Sequence, residues 1–238
     1  MTLRKQRGTI VSLLLSCHPL PAATMTVVLT LGAALSGRSS TACLLVLATA
    51  LCGQLTVGWI NDVVDRDRDR QVGRADKPVA RGWIEPRTLI VATACATLLV
   101  VPLSFANGTA AGIAHLAAVL SAWMYDLTLK QTVLSWLPYA VSFGLLPAFL
   151  SYGGLGLGLH GAPPTLAMTV LAALLGIGIH FLNVLPDLAE DERTGVRHLP
   201  LRIASRIGAP RLLRISAGYT GIVAVGMLVA AFTVGLRQ

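Results

Sequence analysis

Charge is scarce in this sequence: Asp, Glu, Lys and Arg make up only 13% of its 238 residues, against 54% apolar ones. With a mean hydropathy of +0.70, that scarcity excludes an ordinary soluble domain and marks an integral membrane protein, for which length is a poor guide to domain number. A cysteine framework is missing as well. Cys17, Cys43, Cys52 and Cys95 are scattered, with no CxxC pair and no histidine at ligand spacing, so buried thiols are the better reading than a zinc site. The net charge of +8 does not point to nucleic acid. Its basic residues are mixed with acids at the ends of apolar runs, where membrane topology accounts for them.

Runs long enough to cross a bilayer, roughly 17–25 residues, fall at about 19–37, 41–60, 88–106, 109–124, 132–150, 165–186 and 211–236. The expectation is an all-α, polytopic bundle of about seven spans forming one domain over residues 1–238. Of the 19 Lys and Arg residues, 17 lie before the first run (Arg4, Lys5, Arg7), between the second and third, after the fourth (Lys130), or between the sixth and seventh; only Arg38 and Arg237 lie opposite. All 11 acids share the basic side. By the positive-inside rule, the N-terminus and the three charged loops of this multi-pass cell-membrane protein are cytoplasmic. The opposite loops, at 105–108 and 151–164, read as connectors without chemistry. Leu3 to Ser16 has the outline of a signal peptide, but Pro19 and Pro21 read better as the entry to the first span than as part of a cleavage site.

Against this background two acidic clusters stand out. The stretch Asn61-Asp62-Val63-Val64-Asp65-Arg66-Asp67-Arg68-Asp69 follows directly on an apolar run. If the helix continues into it, Asp62, Asp65 and Asp69 fall at i, i+3 and i+7 on one face, where carboxylates repel unless cations sit between them. Asp187, Glu190 and Asp191 follow a later apolar run in the same way, and Asn61 and Asn183 each stand within a turn of the first acid. Such a pseudo-repeat would face two similar helix ends across one cavity. Magnesium prefers oxygen ligands and completes its shell with substrate phosphate, so paired aspartate clusters fit a diphosphate bridged by Mg²⁺. The plainer accounts are a solvated loop of alternating charges for the first cluster and acids following the helix-ending Pro186 for the second.

In this order the residues resemble the UbiA superfamily of intramembrane prenyltransferases. Residues 61–69 match its NDxxDxxxD motif, followed by Arg74, Lys77-Pro78 and Arg81-Gly82; Tyr125 and Lys130 follow the fourth span, and Asp187-Leu188-Ala189-Glu190-Asp191 with Gly195 and Arg197 matches the second aspartate motif. The resemblance spans roughly residues 10–215. It implies a helical bundle with a central cavity that opens sideways to lipid and is capped by two cytoplasmic loops. An isoprenyl diphosphate would be held through Mg²⁺ and its prenyl group moved, through an allylic carbocation, to an aromatic or other small acceptor. By the same resemblance Asp62, Asp65, Asp69, Asp187 and Asp191 would hold metal, and Arg74, Lys77, Lys130 and Arg197 would contact diphosphate. Asn61, Lys130 and Tyr125 would act at the reacting centre, although Tyr125 also suits an interfacial anchor. Membrane lipid is an implied partner; the oligomeric state is open.

The sequence departs from the family in three places. About seven spans stand where nine are usual, so the domain reads as shortened at its C-terminus; Glu190 replaces an Asp; and Asp126 adds an acid beside Tyr125. His115 and His180 lie within spans, where interhelical hydrogen bonding is the simpler account, while His18, His160 and His198 suggest no role. Two other functions stay open: a terpene cyclase of the same fold, and a non-catalytic protein that binds prenyl diphosphate. The CDP-alcohol phosphotransferases are set aside because their DGxxAR signature is absent.

Overall fold

The structure, a computed structural model, describes residues 8–233. Arg4, Lys5, Arg7 and Arg237 of the topology argument lie outside them. Every element of the described chain is helical.

Two helices open it. α1 (Thr9–Ser16) meets α2 (Pro19–Leu35) at a bend of 65°. Pro19 begins α2, where its missing N–H costs nothing. α3 (Ser40–Val64) is capped by the Ser39 hydroxyl, which accepts from Ala42 N at 3.3 Å. It runs almost without pause into α4 (Arg66–Val72), because Asp65 N still donates to Asn61 O and Asp69 N to Asp65 O. Gly73 then stops the chain in the left-handed region (φ 76°). The one-turn α5 (Pro78–Arg81) leads to α6 (Pro86–Ala106) and α7 (Thr109–Met124). A π-turn at Tyr125–Leu129 follows, then α8 (Trp136–Ser151), α9 (Leu166–Val184), a 3₁₀ turn at Leu185–Asp187, α10 (Leu188–Arg193), α11 (Leu199–Ile207) and α12 (Ala209–Thr233).

Among the described residues, five helical stretches are long and apolar enough to cross a membrane, the bent α1–α2 pair would make a sixth, and α8 is a shorter apolar helix. Together they account for all seven expected runs. They pack in sequence as neighbours, α2 on α3, α3 on α6, α6 on α7, α7 on α8, α8 on α9 and α9 on α12. The outward faces are apolar, with Leu98 78% and Phe232 89% exposed, the surface a lipid solvent requires. Backbone close approach sets one corner. Gly58 of α3 lies against Cys17, where a Cβ would come within 2.5 Å of the Cys17 backbone. Trp59 Nε1 donates to Leu13 O at 2.9 Å across the same contact. One apolar cluster (Leu29, Ala33, Val46, Ala50, Ala111, Ala114, Phe149) closes the end of the bundle away from the acidic motifs.

Candidate active site at the mouth of a membrane cavity

A cavity of about 590 Å³ lies inside α2, α3, α7, α8 and α9, with both acidic motifs at its mouth. Leu20, 77% exposed, also lines it, so the cavity is open beside the first turn of α2. Both motifs are built alike: a long apolar helix ends, a short polar helix follows, and a glycine at φ 76° (Gly73, Gly195) turns the chain back.

The mouth is one continuous polar network. At the α1–α2 corner His18 takes the left-handed conformation (φ 55°), and its Nε2 accepts from Lys77 Nζ at 2.9 Å. Lys77 Nζ also donates to Asn61 Oδ1 at 3.2 Å and lies 3.2 Å from Asp62 Oδ1. Asn61 Nδ2 donates to Asp126 Oδ1 at 2.7 Å. Lys130 Nζ lies 3.9 Å from that same oxygen and donates a short hydrogen bond to Asp65 Oδ1. Arg68 then joins the two motifs, reaching Asp65 at 3.4 Å and Asp191 at 3.1 Å. His198 ends the chain of contacts. Its Nδ1 accepts from Leu201 N at 3.0 Å, capping α11, so Nε2 carries the proton and donates to Asp191 Oδ2 at 2.9 Å.

Arg74 makes a second link between the motifs. It grips Asp76 with Nε and Nη2, both at 3.1 Å, and turns Nη1 to Asp187 at 2.9 Å and Glu190 at 3.3 Å. The bidentate bond to Asp76 holds the Arg74 guanidinium well above its ordinary range and the Asp76 carboxyl below its own.

The π-turn explains how Tyr125, Asp126 and Lys130 all line the cavity. Positions five apart on an α-helix point about 140° away from each other. Here Lys130 N donates to Tyr125 O at 2.9 Å, and the wider turn brings the two residues back onto one side. Tyr125 therefore faces the cavity rather than the membrane surface, edge-on to Tyr139 at 5.1 Å between ring centres. Asn183 Nδ2 donates to the Tyr139 hydroxyl at 3.0 Å.

Of the residues singled out in the sequence, Asn61, Asp65, Asp69, Arg74, Lys77, Tyr125, Lys130, Asp187 and Asp191 line this cavity. Asp62 stands behind Lys77, 1% exposed and outside the lining. Arg197 is exposed and lies outside the lining, where Val196 turns inward at the loop leading to α11. The alternating-charge account holds for one exposed fragment only, where Arg66 and Arg70 pair with Asp67. Asp126, Arg68, His18 and His198 are additions. For His198 a signal was present, since a residue two before Pro200 at the head of an amphipathic run is a cap candidate. Asp191, which Arg68 reaches across the mouth, and Lys77, the partner of His18, lie 123 and 59 residues away, and no local pattern encodes these contacts.

The donor set suits a hard cation. Eight carboxylates (Asp62, Asp65, Asp69, Asp76, Asp126, Asp187, Glu190, Asp191) face four basic side chains (Arg68, Arg74, Lys77, Lys130), which leaves a surplus of four negative charges. Both Asp62 oxygens and Asp69 Oδ2 are buried without a hydrogen-bond partner, the Lys77 contact to Asp62 being an ion pair off the hydrogen-bonding direction. Burial pushes the Asp69 carboxyl up to about 6, which a nearby cation would reverse. Among the described residues no three acidic, histidine or cysteine side chains converge on one point tightly enough to hold an ion unaided. Oxygens from a ligand must therefore complete any metal shell.

Comparison with known proteins gives the same outline. A profile of the UbiA prenyltransferase family matches residues 21–237. No curated protein matches the sequence. Among solved structures, a UbiA homologue from Archaeoglobus fulgidus bound to DMAPP and Mg²⁺ superimposes with a TM-score of 0.71 at 19% identity, covering 90% of this chain and 76% of that one. The same homologue bound to GPP and Mg²⁺ gives 0.72 at 18% identity with the same coverage. Its Cd²⁺-bound form gives 0.68 at 14% identity, covering 94% of this chain and 90% of that one. At these identities the likeness is one of fold.

Proposed function

The chain belongs to the UbiA prenyltransferase family, and from that premise we propose that it transfers a prenyl group from an isoprenyl diphosphate to a small acceptor inside the membrane, using Mg²⁺. The observation that carries the reading is the pair of acidic motifs, short of positive charge, facing each other across the mouth of an apolar cavity. The similar Archaeoglobus fulgidus protein, bound to DMAPP or GPP with Mg²⁺, supports it. The motif side would be cytoplasmic by the positive-inside rule, and the described chain would act as one domain.

Asp65, Asp69, Asp187 and Asp191 would hold metal, with Asp62 supporting from behind. Bound there, Mg²⁺ would neutralise the diphosphate and stabilise it as a leaving group. The protein's own residues do the rest. Lys77, Lys130 and Arg74 contact phosphate oxygens, and Asn61, fixed between Lys77 and Asp126, keeps a neutral dipole at the reacting carbon. The allylic C–O bond breaks with its electron pair leaving on diphosphate, and the prenyl cation forms beside Tyr125 and Tyr139, whose rings favour positive charge. The apolar walls keep water away until the acceptor's nucleophilic carbon closes the new bond and loses its proton. The opening at Leu20 gives the prenyl tail a way into lipid.

The test is diphosphate release by the purified protein from geranyl, farnesyl and geranylgeranyl diphosphates, with and without Mg²⁺, alongside Asp62→Ala. Release that needs both Mg²⁺ and Asp62 supports the reading, and mass analysis of the products separates transfer from cyclisation. Diphosphate that binds but is never cleaved, even with aromatic acceptors present, overturns it.

A further inference from the structure

The deep half of the cavity is not uniformly apolar. His115 of α7 lines it and is only 4% exposed. Its Nδ1 lies 2.8 Å from the Ser104 hydroxyl, and that hydroxyl gives its single proton to Val100 O at 2.6 Å. Ser104 therefore accepts from His115, Nδ1 carries the ring proton, and Nε2 of the neutral imidazole is a bare acceptor. No described residue donates to it. Nearby on α3, Gln54 lines the same cavity and its amide makes no hydrogen bond with any described residue. The two helices are in contact here, since a Cβ on Gly53 would lie 3.2 Å from His115 Nε2.

At 1.5 Å per residue, Gln54 lies about 10 Å below Asn61 and His115 about 16 Å below Asp126. Every charged residue that lines the cavity belongs to the mouth. Below the two polar groups Leu29 and Ala50 line the floor, and behind it the Phe149 ring centre lies 4.9 Å from that of His115. Free hydrogen-bonding groups at membrane depth are costly unless a ligand meets them. A prenyl tail offers them nothing. A carboxylate would find no cation, and an ammonium no carboxylate.

We propose that the deep half of the cavity is a subsite for a neutral hydroxyl group on the acceptor, received by Gln54 and by Nε2 of His115. The inference rests on the prenyl-transfer reading and narrows the acceptor to a flat or elongated apolar molecule, uncharged at its far end, that reaches from the reacting carbon to α3 and α7. The prenyl tail then leaves through the opening at Leu20 instead of filling the floor.

Three probes of nearly equal shape test it: 2-naphthol, 2-methylnaphthalene and 2-naphthoate, measured by equilibrium dialysis against the protein in nanodiscs, with empty nanodiscs subtracted. One to two hydrogen bonds predict 2-naphthol held roughly tenfold more tightly than 2-methylnaphthalene by the unaltered protein, and 2-naphthoate no better than 2-methylnaphthalene. Gln54→Leu, which breaks no hydrogen bond inside the protein, should reduce that preference at least threefold, and His115→Phe should do the same. Equal binding of the three probes, or a preference that survives Gln54→Leu, overturns the proposal, and it does so even if His115→Phe fails to fold. Mg²⁺-dependent binding of geranyl diphosphate, carried by the mouth, is measured in parallel and should be unchanged by Gln54→Leu. Its absence from the unaltered protein would overturn the prenyl-transfer reading, whatever the naphthol comparison gives.

Discussion

Replacing Gly58 by alanine tests the geometry of the α1–α2 corner with a single methyl group. The added Cβ would sit 2.5 Å from the carbonyl carbon and oxygen of Cys17 and 2.6 Å from its Cα. Carbon atoms pack at about 3.5 Å or more, so the corner must move by about 1 Å, and because backbone is what it meets, no side chain can swing aside. Overpacking of this kind costs about 1–3 kcal/mol. At about 2–4 °C per kcal/mol for a chain of this size, the melting temperature should fall by about 2–12 °C. The movement also reaches the site. Cys17 precedes His18, whose 2.9 Å bond to Lys77 would not survive a displacement of that size, so affinity for prenyl diphosphate should drop as well, by up to about tenfold for one hydrogen bond. Gly221→Ala is the control. Gly221 sits inside α12 with nothing within 4 Å of its would-be Cβ, so alanine there should stabilise the helix by up to about 1 kcal/mol. Differential scanning fluorimetry in detergent, paired with a binding titration, reads both. A Gly58→Ala protein that melts and binds like the parent would refute the close packing on which this argument depends.

Arg74→Gln removes the link from the first motif loop to Asp187 and Glu190; melting should fall by several degrees without Mg²⁺ and recover in part when Mg²⁺ is added, and loss of the same size in both conditions would count against a cation-binding mouth. His198→Asn keeps a capping side chain for α11 but loses the bond to Asp191, whereas His198→Ala loses both. The expected result is a raised Mg²⁺ requirement in both variants, with lowered thermal stability, by about 1 kcal/mol, mainly in the alanine one. For topology, single cysteines at Gln71 and Leu157 in a cysteine-free background should label oppositely with a membrane-impermeant maleimide: Leu157→Cys in intact cells, Gln71→Cys only after permeabilisation. Labelling of Gln71→Cys in intact cells would invert the assigned orientation.

The long apolar runs were legible because lipid leaves one solution for a spanning segment, and all seven coincide with helices to within a few residues. The short helices were not. α1 looks like the apolar part of a leader, and α11 is too short to stand out by length; its amphipathic pattern packs Leu201, Ile203 and Ile207 against Leu188 and Leu212. The acidic motifs announced themselves because carboxylates at a membrane boundary are costly unless used. What composition and spacing left hidden were the partners. Asp126, which reads in the sequence as an added acid beside Tyr125, is the hinge of the network, bonded to Asn61 and near Lys130. The π-turn was equally silent, since a five-residue spacing between Tyr125 and Lys130 fits no regular helix face.

Arg68 and Arg74 have a thermodynamic consequence for how ligands enter. Each already occupies carboxylates of the second motif, so a metal arriving at Asp191 or Asp187 must displace a guanidinium, which keeps Asp65 or Asp76 but has an N–H left unmet unless a phosphate is at hand. Under the proposed function, metal and diphosphate would then bind as a synergistic pair, each weak alone. The arginines would exchange carboxylate for phosphate at the moment the metals take the aspartates. Admission is thereby conditional: free Mg²⁺ meets second-motif acids already paired with arginine, a free diphosphate meets the surplus of negative charge, and only the two together balance it.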